Sequence, residues 1–209
     1  LKRMELYTMQ AQMNPHFLFN TLNTGVQLAI TEDADRTADY MEHLATFFRY
    51  NLRERNIIVP LRREIEGLEA YLYILRIRFP RSLGFSLDVP EELLDSCRVP
   101  ALIMQPLVEN SVIHAFKGIE RAGTISIRVW KEDSIVCLSV SDNGIGIDRE
   151  TSRRLLEHHA REVNPESKVM GLENVIHRLY FFYPDQDDVV SIRGEPGEGT
   201  EILIRIDTE

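Results

Sequence analysis

Apolar side chains recur at helical spacing through the first third of the chain. The residues Leu18, Leu22, Val26 and Ile30 lie four residues apart, and the polar residues 31–33 that follow are suited to capping a new helix. A second apolar stripe comes after them and comprises Met41, Leu44, Phe48 and Leu52. Two amphipathic helices joined by a short turn predict an antiparallel hairpin. Because two helices alone cannot cover both apolar faces, the pattern also predicts a second copy and a four-helix bundle.

The remaining two thirds of the chain mix helical and alternating patterns. A break at residues 56–60 precedes a regular helix that is predicted from Leu61 to Phe79. Further helices are predicted over residues 101–117 and 171–181, and strands over residues 85–89, 125–130, 135–140, 189–192 and 202–206. This order predicts an α+β fold in which helices pack on one face of a mixed sheet.

Composition and charge narrow the classes of protein to which this chain can belong. The chain has 209 residues, a net charge of −9 and 44% hydrophobic residues, so it has enough apolar surface for a packed core and no overall basic surface for nucleic acid. Cys97 and Cys137 are the only cysteines, and their apolar strand-like surroundings predict reduced core thiols of an intracellular protein. The sequence has no run of about 20 apolar residues suited to a membrane span. Leu1 falls inside a predicted helix, so we expect further segments to precede it in the full protein.

Residues 12–20 place a proline directly before a histidine inside a helical pattern. A proline in a helix interior costs about 3 kcal/mol, because it removes an N–H group and clashes with the preceding turn. A kink at Pro15 would free the carbonyl group of Ala11 and can turn His16 outward. The neutral imidazole nitrogen of His16 is a competent nucleophile toward a phosphoryl group. Taken alone, His16 also fits an ordinary helix histidine.

A polar stripe follows one side of the predicted helix at residues 101–117. Gln105 and Glu109 are four residues apart, as are Asn110 and His114, so these side chains are neighbours on the helix surface. A carboxylate next to an amide oxygen suits a proton acceptor beside a hard cation, and Mg²⁺ prefers such oxygen ligands. The alternative interpretation is a solvated helix face.

The segment after the predicted strand at residues 135–140 contains an aspartate and two glycines. Asp142 at the strand end can accept a hydrogen bond from an exocyclic amine such as that of adenine. Gly144 and Gly146 let the backbone approach a ligand closely. A tight turn is the alternative, because Asp-Asn-Gly favours turns in many settings.

Two later segments have features that suit a phosphate ligand. Gly171 and Leu172 open a predicted helix, and backbone N–H groups at a helix start favour phosphate. The irregular stretch before them, residues 158–168, would be a mobile lid. Gly199 and Thr200 add a small-residue turn and a hydroxyl group near the end of the chain.

Together these strings resemble one family. Residues 12–23, QMNPHFLFNTLN, closely resemble the phosphoacceptor box of the LytS-like, or YesM-like, branch of bacterial sensor histidine kinases. Glu109-Asn110 with His114 resembles the N box, and residues 142–146 resemble the G1 box. Residues 171–174 resemble the G2 box, and residues 197–200 resemble the final glycine box. The G2 box departs from the common pattern, because Val169 stands where a glycine is usual.

The resemblance implies a fold, an activity and a set of roles. It implies a dimerising hairpin that carries the phosphoacceptor over residues 1–59, and a Bergerat-type ATP-binding sandwich over residues 60–209. His16 would receive the γ-phosphate of ATP, Glu109 would assist proton transfer and Asn110 would hold Mg²⁺. The nucleotide cleft would comprise Asp142, which recognises adenine, together with Asn110, His114, Gly144, Gly146, Gly171, Leu172, Gly199 and Thr200.

The same resemblance implies partners and a location. The chain would form a homodimer through the hairpin and pass phosphate to an aspartate of a response regulator. It would be the cytoplasmic portion of a protein that is anchored in the bacterial inner membrane through segments outside this chain. Nucleic acid is not an expected partner.

Two rival interpretations stay open at this point. A gyrase- or MutL-like ATPase shares the string at residues 142–146 but leaves His16 and its flanking residues without a role. A nucleotide-sensing dimer without kinase activity would use the same cleft. Val169 favours this second rival, because a β-branched residue resists positive φ and crowds a phosphate.

Overall fold

The computed structural model describes residues 15–53, 58–118, 121–157 and 171–207. The side chains of residues 15–17 and 53 lie outside this description. Three features of the sequence-based prediction also lie outside it, namely the Ala11 carbonyl, the lid at residues 158–168 and the G2 position Val169.

Two helices form the predicted hairpin. Helix α1 spans Pro15–Thr31 and helix α2 spans Asp35–Arg53. Val26 and Ala29 of α1 pack with Ala38 of α2 in a small buried cluster. The hairpin therefore has its own apolar contact, separate from the main core of the chain.

Within the described residues, seven strands follow along the chain. They are β1 (Ile58–Pro60), β2 (Leu83–Asp88), β3 (Arg98–Pro100), β4 (Gly123–Glu132), β5 (Ile135–Asp142), β6 (Val190–Glu195) and β7 (Gly199–Asp207). Five of them form one sheet in the order β2-β4-β5-β7-β6, in which β2 runs parallel to β4 and the other neighbours are antiparallel. The short strands β1 and β3 pair with each other. The large sheet is mixed, which confirms the predicted fold class.

Helices cover one face of this sheet. They are α3 (Leu61–Arg78), α4 (Glu91–Ser96), α5 (Met104–Asn110), α6 (Arg149–Glu157) and α7 (Leu172–Phe182). In β4, the buried residues Ile125 and Ile127 alternate with the less buried Ser126 and Arg128, so one face of the sheet points to the core. The core side chains opposite that face include Leu68, Leu107 and Leu179.

Several short elements differ from the sequence-based prediction. Strands β1 and β3 have three residues each, which is too short for an alternating pattern to be recognised, and β1 occupies part of the predicted break. Helices α4 and α6 are likewise absent from the prediction. The helix predicted from residue 101 begins at Met104, because Leu102 has a φ of 57° that a helix cannot contain. After Asn110 the helix continues as a π-helix over Ser111–Ala115.

Candidate nucleotide-binding site

A cavity of about 380 Å³ opens where the end of β5 and the start of β7 meet the helix at residues 104–115, together with α6 and α7. Of the residues predicted for the cleft, its lining includes Asn110, His114, Asp142, Gly146, Leu172 and Thr200. The other lining residues are Ala115, Ile145, Ile147, Thr151, Leu155, Glu173, Ile192 and Ile202. Apolar walls with a few convergent polar groups suit a ligand that has flat apolar faces and a polar edge, as a purine does.

Asp142, the last residue of β5, is held by two hydrogen bonds. Ser111 donates from Oγ to Oδ2 over 2.8 Å, and the backbone N–H of Gly144 donates to Oδ1 over 2.9 Å. Thr200 lies directly opposite Asp142 in the register of β5 and β7. A carboxylate oxygen can accept two hydrogen bonds, so Asp142 keeps the capacity to accept another from a ligand in the cavity.

The adjacent residues Glu109 and Asn110 have different surroundings. Asn110 lines the cavity. Glu109 accepts a 2.9 Å hydrogen bond at Oε1 from Nε2 of Gln105, one turn earlier in the helix. Burial, and to a smaller extent the negative charge of Glu109, raises the pKa of Tyr71 in α3. The polar stripe of this helix is therefore divided, with Asn110 on the cavity and Glu109 near Tyr71 of α3.

Two glycines shape the cavity by letting backbone segments approach each other. Gly199 has a φ of 95°, and a Cβ atom there would lie 2.0 Å from the carbonyl oxygen of Asp142. At Gly144 a Cβ atom would lie 2.3 Å from the carbonyl oxygen of Ala115. Both distances are shorter than any side chain tolerates, so only glycine fits. The close approach predicted for Gly144 is thus made to another part of the chain, the end of the π-helix.

Other predicted residues are not among those that line the cavity. Gly199 borders a neighbouring open cleft that also includes Asp142 and Thr200. Gly171, with a φ of 135°, immediately precedes α7. His16 lies in the first turn of α1 after Pro15, and its side chain lies outside the described residues.

Sequence reasoning missed the contribution of α6. Thr151 and Leu155 of this helix line the cavity. Asp148 accepts hydrogen bonds from the backbone N–H and the hydroxyl group of Thr151, both over 2.8 Å, and these bonds lower the pKa of Asp148. An aspartate that caps a helix three residues ahead of its hydroxyl partner is a recognisable N-terminal signal, so this helix could have been predicted.

Within the part of the chain that the structure describes, no helix combines the length and apolar character needed to cross a membrane.

Comparisons with known proteins extend these observations. A family model described as "Histidine kinase" matches residues 4–83, and one described as "Histidine kinase-, DNA gyrase B-, and HSP90-like ATPase" matches residues 99–209. The sensor protein LytS of Bacillus anthracis is 34% identical over 99% of this chain and 34% of its own length. The sensor histidine kinase YesM of Bacillus subtilis is 32% identical with the same coverage. The chain therefore spans about a third of the length of these curated relatives.

A solved structure has a similar fold. The histidine kinase domain of the blue-light activated histidine kinase of Erythrobacter litoralis matches with a TM-score of 0.52 and 14% identity, covering 93% of this chain and 94% of that one. The sheet and its covering helices therefore have the fold of a histidine kinase domain. The chain belongs to the histidine kinase-, DNA gyrase B- and HSP90-like ATPase family. Within that family its similarity to the sensor histidine kinases LytS and YesM extends over nearly the whole chain.

Proposed function

We propose that this chain is the catalytic part of a sensor histidine kinase and that it transfers the γ-phosphate of ATP to His16. The supporting observation is the cavity whose lining brings Asn110, Asp142 and Thr200 together between apolar side chains. This combination fits adenine and the metal-bound phosphates of one nucleotide, whereas a solvated helix face or a simple tight turn explains neither the apolar walls nor the convergence.

The adenine end of the nucleotide is assigned to the strand ends. The carboxylate of Asp142 accepts a hydrogen bond from the exocyclic amine, and the hydroxyl group of Thr200 lies beside it. Ile147 and Ile192 supply apolar surface to the faces of the ring. This arrangement selects adenine over a base that carries an oxygen at the same position, because two acceptors would then face each other.

The phosphate end of the nucleotide is assigned to two helix segments. The amide oxygen of Asn110 is a suitable ligand for Mg²⁺, which supplies charge neutralisation to the phosphates when bound. The backbone N–H groups that follow Gly171 at the start of α7 favour the same phosphates. The chain thus contributes mainly positioning and charge, which is what phosphoryl transfer needs.

Transfer itself requires one bond to form and one to break. An imidazole nitrogen of His16 forms a bond to the γ-phosphorus, while the bond from that phosphorus to the oxygen bridging to the β-phosphate breaks and ADP leaves. The carboxylate of Glu109 accepts the proton released by the imidazole, directly or through one water. Glu109 lies next to Asn110 in sequence, so the proton acceptor and the metal ligand move together.

The two-part organisation and the partners belong to the same proposal. Residues 1–59 form the dimerising phosphoacceptor hairpin and residues 60–209 form the ATP-binding domain. On α1, Leu28 is 58% exposed and Ile30 is 52% exposed, and such exposed apolar side chains favour a second copy of the hairpin as partner. An aspartate of a response regulator then receives the phosphoryl group from His16.

A labelling experiment tests this proposal. The chain is incubated with Mg²⁺ and ATP that is radiolabelled at the γ-phosphate, and the expected product is an acid-labile, base-stable label. The label should be lost in His16→Ala and kept in His177→Ala, which changes an exposed histidine of α7. Release of free phosphate with little retained label would favour a gyrase-like ATPase instead. Binding of a fluorescent ATP analogue with neither product would favour a nucleotide-sensing scaffold.

A further inference from the structure

Two hydrogen bonds connect the end of the hairpin to the proposed proton acceptor. Asn51, near the end of α2, donates from Nδ2 to Oε1 of Gln105 over 2.9 Å. Gln105 in turn donates from Nε2 to Oε1 of Glu109 over 2.9 Å. Gln105 is only 6% exposed, so its amide group depends on partners within the protein. We call this the Asn51–Gln105–Glu109 path.

The direction of these hydrogen bonds is fixed at both ends. Asn51 Nδ2 also donates to the carbonyl oxygen of Phe47 over 3.0 Å, and a carbonyl group can only accept. The carboxylate of Glu109 can likewise only accept. The amide of Gln105 therefore has one orientation that satisfies both neighbours, with its oxygen toward Asn51 and its nitrogen toward Glu109.

A second connection holds the start of the same helix to α2. Tyr50, next to Asn51, donates a hydrogen bond to the carboxylate of Glu64. Glu64 is buried, with only 1% of the residue exposed. Its carboxylate accepts hydrogen bonds from the backbone N–H groups of residues 102–104 over 2.7 to 2.9 Å. Consecutive residues of α2 are thus connected to residues 102–104 at the start of the helix, through Glu64, and directly to its buried glutamine. A movement of α2 relative to α3 and α5 would alter both contacts together.

We propose that Gln105 is a positioning residue for Glu109, and that Asn51 makes this positioning depend on where the hairpin lies. The inference rests on the proposed function, because it takes Glu109 as the proton acceptor. The hydrogen bond from Gln105 to Oε1 restrains the carboxylate and so fixes the position of Oε2, which takes the proton. When α2 shifts, Gln105 loses its fixed orientation and Glu109 is no longer restrained. The hairpin that carries the phosphoacceptor therefore also controls the proton acceptor.

The first test removes the amide and keeps the side-chain size. Gln105→Met is expected to lower the maximal rate of His16 phosphorylation about tenfold, a part of the 10²- to 10⁴-fold that general acid–base catalysis typically contributes. The KM for ATP should change less than about twofold, because Gln105 does not line the nucleotide cavity. The matched control is Gln186→Met, which removes the side-chain hydrogen bond to the Arg205 carbonyl group far from the site and should leave both kinetic constants unchanged.

The second test reverses one hydrogen bond. In Asn51→Asp the new carboxylate can only accept, so the Gln105 amide turns its nitrogen toward it and presents its oxygen to Glu109. The expected loss of maximal rate equals that of Gln105→Met, and the double variant should lose no more than either single variant, because all three break the same path. Melting temperatures and binding of a fluorescent ATP analogue are measured on every variant to separate loss of structure from loss of positioning.

The outcomes distinguish this inference from the proposed function. If the unmodified chain forms no phosphohistidine, the proposed function fails and the role of Glu109 fails with it. If the unmodified chain is active and Gln105→Met keeps its maximal rate, the inference alone is overturned. Independent, multiplying losses in the double variant, or a loss confined to the KM for ATP, would also overturn it.

Discussion

The hydroxyl group of Ser111 donates a 2.8 Å hydrogen bond to the carboxylate of Asp142. Ser111 is buried and directly follows Asn110, so this bond joins the helix with the proposed Mg²⁺ ligand to the strand end with the proposed adenine contact. The two ends of the nucleotide site are therefore parts of one hydrogen-bonded unit. A substitution of either residue should change the affinity for nucleotide.

Replacing the carboxylate tests the adenine assignment. Asp142→Ala should raise the dissociation constant of an ATP analogue about tenfold or more, because a hydrogen bond to a charged group contributes about 1.5 to 3 kcal/mol. A fluorescence titration measures it, with Asp185→Ala as the control for loss of an exposed aspartate outside the cavity. Binding that stays unchanged in Asp142→Ala would remove the adenine assignment.

The proposed metal ligand is tested by a change of charge. Asn110→Asp should lower Mg²⁺-dependent phosphohistidine formation about tenfold or more, because a new negative charge lies beside the ATP phosphates that phosphoryl transfer must neutralise. The melting temperature should change little, since Asn110 lies on the cavity wall. Turnover is measured over a range of Mg²⁺ concentrations. A large fall in melting temperature with intact turnover would contradict the assignment.

The burial of the Glu64 carboxylate leads to a prediction about stability. In Glu64→Gln an amide nitrogen replaces one acceptor oxygen, so a buried donor among the N–H groups of residues 102–104 or Tyr50 loses its partner. The free energy of unfolding should fall by about 1 to 3 kcal/mol, measured by urea denaturation. Ser86→Ala, which removes an exposed hydroxyl–hydroxyl contact with Ser126, should cost less.

The stability of the unmodified chain relative to Glu64→Gln should depend on pH, and the burial of Glu64 sets the sign of this dependence. Burial raises the pKa of Glu64 above its ordinary value of 4.5, while hydrogen bonds from Tyr50 and residues 102–104 oppose the rise. The folded state then binds the proton more tightly than the unfolded state, so the contribution of Glu64 to stability is complete below that ordinary value and falls as pH rises through the folded-state pKa. The stability difference between the unmodified chain and Glu64→Gln should therefore shrink as pH rises above the ordinary pKa of Glu64. A difference that grows with pH would show the opposite shift.

Comparing alanine variants of two glycines distinguishes the effect of close packing from the effect of backbone conformation. Gly199 and Gly197 both have positive φ, 95° and 90°, but a Cβ atom meets the Asp142 carbonyl group at Gly199 and nothing within 4 Å at Gly197. Both alanine variants carry the backbone strain, of order 1 to 3 kcal/mol. Gly199→Ala should lose more stability than Gly197→Ala and should also weaken binding of the ATP analogue. Equal effects in thermal melting and in the binding titration would contradict the close packing of β5 and β7 as the reason for Gly199.

The exposed apolar side chains of α1 predict the oligomeric state. Replacing Leu28 and Ile30 together by glutamate should convert a dimer into a monomer, because charged side chains would have to be buried between the hairpins. Light scattering gives the molar mass in solution. Gln27→Glu changes an already polar, exposed position of the same helix and should remain dimeric. An unmodified chain that is monomeric at all concentrations would contradict the bundle.

Local patterns accounted for the main elements and for part of the site. The strand predicted over residues 125–130 lies within β4, where the structure buries Ile125 and Ile127. The spacing of four residues made Gln105 and Glu109 neighbours, and the structure joins them by a hydrogen bond. The short strand β1 escaped prediction, because three residues carry too little periodicity to be distinguished from a loop.

The sequence by itself determined which residues share a helix face or a sheet face, because helix and strand periodicities are properties of the local backbone. Only the tertiary structure decided that Asn51 meets Gln105, that Glu64 caps residues 102–104 and that the cavity closes around Asp142. Those contacts join segments that are distant in the chain, and their geometry depends on how the whole core packs rather than on any single repeat.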